Sequence, residues 1–196
     1  MDNKKDRRSI KFKETKLDKS GSKFIKTIIN WLITIMIAVV VGYAFVTFGF
    51  QTVKVVGPSM NDTLSDGNEV LVNKIKFKTS GLNRYDVVAY KKVNSDSYYD
   101  IKRVIGLPKE TVLIKDGLIY INGEQLKDCP ISESIVNGGL AAQEIQLANN
   151  EYFLLGDNVN NSEDSRFTNI GVICKSEIIG KVTRIVSPKE DKGKVK

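Results

Sequence analysis

Thr111-Val112-Leu113-Ile114-Lys115-Asp116-Gly117-Leu118-Ile119-Tyr120-Ile121 contains two short apolar runs joined by Asp-Gly. Asp-Gly accepts the positive φ angles that a two-residue hairpin turn demands, so Thr111–Lys115 and Leu118–Ile121 read as antiparallel strands. The same texture continues on both sides. Thr52–Val56 alternates loosely before Gly57-Pro58, and Asn68–Phe77, Tyr85–Val93, Tyr99–Ile105, Glu151–Leu155 and Lys181–Val186 read as further strands, set apart by Gly, Asn and Asp. Residues 128–150, with Pro130, Gly138 and Gly139, have only weak periodicity, and Ala141–Ala148 reads as a short helical turn. Many short strands without alternating helices predict a mainly β fold, an antiparallel all-β domain rather than a parallel α/β sheet.

Ahead of the β region, Trp31–Phe50 is twenty residues without a charge. As a helix it spans about 30 Å, enough to cross the hydrocarbon core of a bilayer. A cleaved secretory signal has a shorter apolar run and ends in small residues, whereas this run ends in Val46-Thr47-Phe48-Gly49-Phe50. An uncleaved anchor is the expectation. Residues 1–23 carry nine basic side chains against four acidic ones, which places them on the cytoplasmic side and the β domain outside. Trp31 at the inner end suits an interfacial position. The expected organisation is a basic cytoplasmic tail over 1–23 and a transmembrane helix over 24–50. An extracytoplasmic β domain follows over 51–187, with an insert at about 115–150, and a polar tail over 188–196.

The net charge of +7 sits mostly in that tail, and residues 51–196 are left close to neutral. A nucleic-acid partner, which needs a basic face on the folded domain, is not expected. The two cysteines, Cys129 and Cys174, fall in the exported part, where a disulfide is permitted but not demanded by their spacing. With no histidine and no Cys-x-x-Cys pair, no metal site and no cofactor are expected.

The absence of histidine also restricts nucleophilic chemistry. Ser59 lies nine residues beyond the apolar run, and a serine hydroxyl attacks only when a neighbouring base takes its proton. Lys102, in Asp100-Ile101-Lys102-Arg103-Val104-Ile105-Gly106, is the best-placed substitute for an imidazole. A lysine acts as a base only when uncharged, which near neutral pH requires about 3–4 kcal/mol of bias against the ammonium. Burial beside apolar neighbours supplies that bias. Alternation along a strand puts Lys102 and Val104 on one face, Ile101, Arg103 and Ile105 on the other. Taken singly, Ser59 also reads as a turn residue after a proline and Lys102 as a surface lysine.

Four blocks occur in order after the anchor: Gly57-Pro58-Ser59-Met60, Arg84-Tyr85-Asp86-Val87-Val88, Ile101-Lys102-Arg103-Val104-Ile105-Gly106-Leu107-Pro108, and Gly156-Asp157-Asn158 through Ser162-Glu163-Asp164-Ser165-Arg166. Together they resemble the type I signal peptidases of Gram-positive bacteria, membrane serine proteases with a Ser/Lys dyad, over about residues 24–186. The resemblance implies Ser59 as nucleophile and Lys102 as general base, with the Ser162 hydroxyl bonded to the lysine amine. It implies an Asp164–Arg166 ion pair supporting the loop; without it, Gly156–Arg166 is a turn-rich loop with two opposite charges. Val53, Val55, Met60, Leu64 and Ile101 are implied to line shallow pockets for small side chains, although ordinary core packing explains such aliphatics equally well. The implied partners are the signal peptides of exported preproteins and the lipid bilayer.

This chain departs from the family pattern at several places. Gly57 stands where some relatives have a serine that joins the oxyanion hole, and Pro58 has no N–H, leaving the Ser59 N–H as the donor to name. Asp62 stands where proline is common, Tyr85 where glycine is, and Lys109-Glu110 where Gly-Asp is. A protease with a narrower clientele and a non-catalytic module that binds preproteins are the alternative readings.

Overall fold

The computed structural model describes residues 19–91 and 99–195. The expected tail over 1–18 and the end of the strand read through Val93 lie outside them. The chain divides into two units, one ending at Phe45 and one running from Val46.

The first unit is built on helix α1, Lys19–Gly49. It starts earlier than the apolar run, since Lys19–Asn30 contains no proline and Phe24, Ile25, Ile28 and Ile29 continue the apolar character toward the N-terminus. From Lys23 to Gly49 it is long and apolar enough to cross a membrane, and its Phe24, Trp31, Leu32, Val39 and Phe45 side chains are exposed.

The second unit is mainly β, and its strand pairings are antiparallel. Its strands are β1 Phe50–Lys54, β2 Glu69–Asn73, β3 Val87–Lys91, β4 Tyr99–Gly106, β5 Thr111–Lys115, β6 Leu118–Ile121, β7 Glu124–Gln125, β8 Ile145–Gln146, β9 Glu151–Leu155, β10 Ile173–Cys174, β11 Ile178–Ser187 and β12 Gly193–Lys194. Eight form one sheet in the order β1-β2-β11-β3-β4-β9-β10, with β12 paired to β11. The other four form a sheet in the order β7-β6-β5-β8 around the Asp116-Gly117 hairpin. The pairing of β12 with β11 gives a strand to the stretch read as a polar tail.

Two local departures have plain causes. The run read as one strand, Asn68–Phe77, stops at Asn73, whose carboxamide accepts the Lys76 N–H at 2.8 Å and caps helix α2, Lys74–Ser80. Alternating lysines there mimic a strand, but Phe77 turns inward on the helix. In the stretch read as a helical turn over Ala141–Ala148, a single 3-10 turn covers Gly139–Ala142 and strand β8 follows.

Strand β4 is the pivot of the domain. It lies between β3 and β9, and its apolar residues enter three separate core clusters. Ile101 joins Val53, Met60 and Val87; Val104 joins Val88, Tyr90 and Leu154; Ile105 joins Val112, Leu147 and Phe153. Between these anchors β4 carries two buried cations in succession, Lys102 at 2% and Arg103 at 1% exposure. Burial on this scale is rare for either residue without a compensating partner.

Candidate active site

Ser59 follows β1 in a tight turn. The Leu64 and Thr63 N–H groups donate to the Met60 carbonyl, Asn61 N–H donates to the Pro58 carbonyl, and the buried Met60 side chain plugs the turn into the core. The Gly57 N–H donates to Asp66 Oδ1 at 2.9 Å, so it is committed to the turn and not offered to a substrate.

Lys102 Nζ lies 2.9 Å from Ser59 Oγ, bringing together two residues 43 apart in sequence. Pairing of Lys102 with Val88 across β3 and β4 fixes its register, and alternation turns it away from Arg103. Among the described residues, two influences act on its charge in opposite senses. Burial disfavours an ammonium, while the partly exposed Asp100 carboxylate, 3.7 Å from Nζ, attracts one. Asp100 also accepts a long hydrogen bond from the Tyr90 hydroxyl, 3.4 Å. Burial first, then the Asp100 charge, raises the Tyr90 phenol far above its ordinary range.

The Gly156–Arg166 segment closes the site. Asp164 and Arg166 form a buried pair with contacts of 2.7 and 2.8 Å. Asp164 Oδ2 also accepts the Gly156 N–H at 3.2 Å, so one carboxylate ties both ends of the loop. Arg166 donates to the Asn137 carbonyl at 3.1 Å, and the Leu140 N–H donates to the Arg166 carbonyl at 2.7 Å. The weakly periodic segment around 137–140 is thereby clamped to the loop. Gly139, at φ +53°, has to be glycine because a Cβ would collide with the Arg166 carbonyl.

Ser162 sits in this loop, and its Oγ is buried without a hydrogen-bond partner. The expected bond from its hydroxyl to the Lys102 amine is therefore not formed. Its position is nevertheless next to Ser59: a Cβ on Gly156 would strike both Ser162 Oγ and the Ser59 carbonyl oxygen. A buried hydroxyl without a partner costs about 1–3 kcal/mol.

The five residues expected to line substrate pockets, Val53, Val55, Met60, Leu64 and Ile101, fall into one core cluster, none more than 6% exposed. In this conformation they pack as core beneath the Ser59 turn. Cys129 and Cys174 are both free thiols, and burial raises the Cys129 thiol above its ordinary value.

Sequence reasoning missed a second buried ion pair. Arg103 Nε and Nη2 grip Asp157 Oδ1 and Oδ2 at 2.7 and 2.6 Å. Thr63 Oγ1 donates to Asp157 Oδ2 at 2.5 Å and accepts from Arg103 Nη2 at 3.1 Å. Asn158 follows with two bonds of its own: its N–H donates to the Ser59 carbonyl at 3.1 Å and its Nδ2 to the Pro58 carbonyl at 3.2 Å. The available signal was Arg103 itself, since a charge fixed in a central strand demands a carboxylate, and Asp157 opens the last sequence block.

A family model described as signal peptidase, peptidase S26, matches residues 28–187. Signal peptidase IB of Staphylococcus aureus strain COL is 32% identical over 173 residues, covering 81% of this chain and 88% of the relative. Signal peptidase I T of Bacillus subtilis strain 168 is 34% identical over 175 residues, covering 86% and 90%. A crystal structure of a signal peptidase I from Enterococcus faecalis V583 is 29% identical, with a TM-score of 0.45, and covers 52% of this chain and 97% of that one. The family model spans most of the chain and the relatives exceed 30% identity over more than four-fifths of it, so the chain belongs to the signal peptidase family, peptidase S26.

Proposed function

We propose that this chain is a membrane-anchored serine endopeptidase that removes N-terminal signal peptides from exported preproteins through an acyl-enzyme on Ser59. The observation that carries the reading is the 2.9 Å approach of the Lys102 amine to the Ser59 hydroxyl on a strand where that lysine is 2% exposed.

In the first step Ser59 Oγ attacks the scissile carbonyl carbon as its proton passes to the uncharged Nζ of Lys102. The tetrahedral adduct collapses, the C–N bond breaks, and the Lys102 ammonium returns the proton to the leaving amine. Water then attacks the ester carbonyl, giving a proton to Nζ; the second adduct collapses, the C–Oγ bond breaks to release the acid, and the Lys102 ammonium returns its proton to Ser59 Oγ. The Ser59 N–H is the oxyanion donor in this scheme. Asp164 and Arg166 act as a brace for the loop, and Ser162 as a group held beside the dyad. Val53, Val55, Met60, Leu64 and Ile101 form the apolar core beneath the Ser59 turn, and seating small side chains that precede the cut on them requires that core to open.

Helix α1 supplies the anchor, with the basic N-terminal stretch cytoplasmic and the β domain on the outer face. Cleavage sites of exported preproteins are presented there, directly after an apolar segment. The test is incubation of the detergent-solubilised full chain with a preprotein, wild type beside Ser59→Ala, and mass spectrometry of the products. A single cut after a small residue that disappears in Ser59→Ala is expected; the same cut by the variant would sink the assignment. The rate kcat/KM is also expected to rise with pH as the amine loses its charge, and a flat profile from mildly acidic to alkaline pH would contradict a titrating base.

A further inference from the structure

The nucleophile and the base arrive from different parts of the chain, and the Ser59 turn is partly exposed. A gap of 2.9 Å across such a junction persists only if something outside the dyad fixes the turn relative to β4. Backbone pairing secures Lys102, because β4 is hydrogen-bonded on both edges. No strand pairing reaches Ser59 itself, which lies beyond the end of β1.

The dipeptide Asp157-Asn158 bridges that gap with two independent sets of contacts. Asp157 is held by Arg103, the residue next to the base, and by the hydroxyl of Thr63, four residues beyond the nucleophile. Asn158 holds the carbonyls of Pro58 and Ser59 from the same side. Thr63 stands at the centre of the first set, since one hydroxyl both donates to Asp157 and accepts from Arg103. We propose that Thr63 and Asn158 are positioning residues that set the Ser59–Lys102 distance by fastening the nucleophile's turn to the Arg103–Asp157 pair. Neither side chain is hydrogen-bonded to the dyad side chains, so both act through the placement of Ser59.

The proposal rests on the Ser/Lys reading and is tested beside it. The full chain in detergent is assayed with a synthetic peptide carrying an apolar run followed by Ala-x-Ala. The variants are Thr63→Val, Thr63→Ser and Asn158→Asp, with Ser59→Ala and Lys102→Ala as controls. Thr63→Val removes the hydroxyl at nearly constant shape, while Asn158→Asp removes the Nδ2 donor and keeps the backbone one. A displacement of the nucleophile by a fraction of an ångström is expected to lower kcat by about tenfold to a hundredfold in each. KM should stay within about twofold, because ground-state binding is unaffected. Thr63→Ser, which retains the hydroxyl, is expected to recover most of kcat.

A structural role alone would lower the melting temperature and the active fraction without dividing kcat from KM, and this is measured by active-site titration and thermal unfolding. Wild-type kcat in Thr63→Val and Asn158→Asp, or no recovery in Thr63→Ser, overturns the proposal. If Thr63→Val fails to fold, Asn158→Asp decides alone. Turnover by Ser59→Ala or Lys102→Ala would overturn the dyad; inactive controls beside unimpaired positioning variants would overturn only the fastening.

Discussion

Lys102 and Arg103 are consecutive, both cationic by composition and both almost wholly buried, yet the two faces of β4 treat them in opposite ways. On one face Arg103 meets a carboxylate at 2.6 Å through two of its nitrogens. On the other, Lys102 meets a serine hydroxyl at 2.9 Å, and the carboxylate of Asp100 stands off at 3.7 Å. A guanidinium holds its proton under all ordinary conditions, so a buried arginine must be matched by a permanent anion. An amine gives its proton up under desolvation, so a buried lysine is the side chain suited to proton transfer. On the proposed function the strand divides structure and chemistry between neighbouring positions, and exchanging the two roles is the sharpest way to break the comparison.

The largest effect is expected from Lys102→Arg. The approximate length of the side chain survives, but the base is lost, because guanidinium is permanently charged and does not accept the Ser59 proton. Cleavage is expected to fall by about a thousandfold or more, and circular dichroism and thermal unfolding separate loss of the base from loss of the fold. Activity within tenfold of wild type would mean that Lys102 contributes charge and not proton transfer.

On the opposite face the expected damage is to folding. Arg103→Met leaves the Asp157 carboxylate buried and without its bidentate partner, a change that costs about 3–5 kcal/mol. Chemical denaturation measures it. The double variant Arg103→Met with Asp157→Leu is expected to recover much of this loss, since an apolar pair removes the uncompensated charge. A single variant as stable as wild type would show that the pair is not holding the turn to the strand.

The contrast between the faces also marks what the sequence made legible. The β3, β4, β5, β6 and β9 strands follow from local alternation and from Asp116-Gly117, since the forces that set them act within a few residues. Ser59 and Lys102 stand out because a histidine-free chain has few ways to activate a hydroxyl. Contacts that depend on where distant segments finish are another matter. The Thr63–Asp157 bond joins residues 94 apart, and Asn158 reaches Pro58 across 100; no periodicity encodes either. The α2 helix was hidden by lysines spaced like a strand, and only the side-chain cap from Asn73 decides between the two. Ser162 was assigned a bond to Lys102 by likeness of sequence, while its hydroxyl is buried without one.

A smaller, pH-dependent effect distinguishes the Lys102 face. Tyr90 lies there beside Asp100, and burial followed by that carboxylate raises its phenol. The folded state favours the neutral form, so its contribution is fully present below the ordinary tyrosine value of about 10 and declines above it, where the unfolded chain ionises first. The domain is expected to lose about 1 kcal/mol from this group by pH 11. Denaturation curves at pH 9 and pH 11, wild type beside Tyr90→Phe, check it: the variant is expected to decline less steeply. Equal slopes would show that Tyr90 is not the group responsible.

The smallest effect concerns turns at which this chain departs from its relatives. Asp62, Tyr85 and Lys109 all adopt left-handed backbone, with φ of 81°, 71° and 72°. Proline, which the family resemblance puts at the first position, cannot take that angle. Glycine, common at the other two, takes it without penalty. The side chains separate these two cases. Lys109 is exposed, so Lys109→Gly relieves a strained angle of about 1–2 kcal/mol and forfeits only glycine's added unfolded-state entropy. A net gain of about 0.5–1 kcal/mol in denaturation experiments is expected. Tyr85 offers the same relief, but its ring packs against the cluster containing Ile105 and Phe153, and its hydroxyl donates to the Lys127 carbonyl at 3.2 Å. Tyr85→Gly gives up those contacts and is expected to destabilise. Two glycine substitutions at the same backbone angle are thus expected to differ in sign, and a gain at both would mean that backbone strain outweighs packing even beside the base strand.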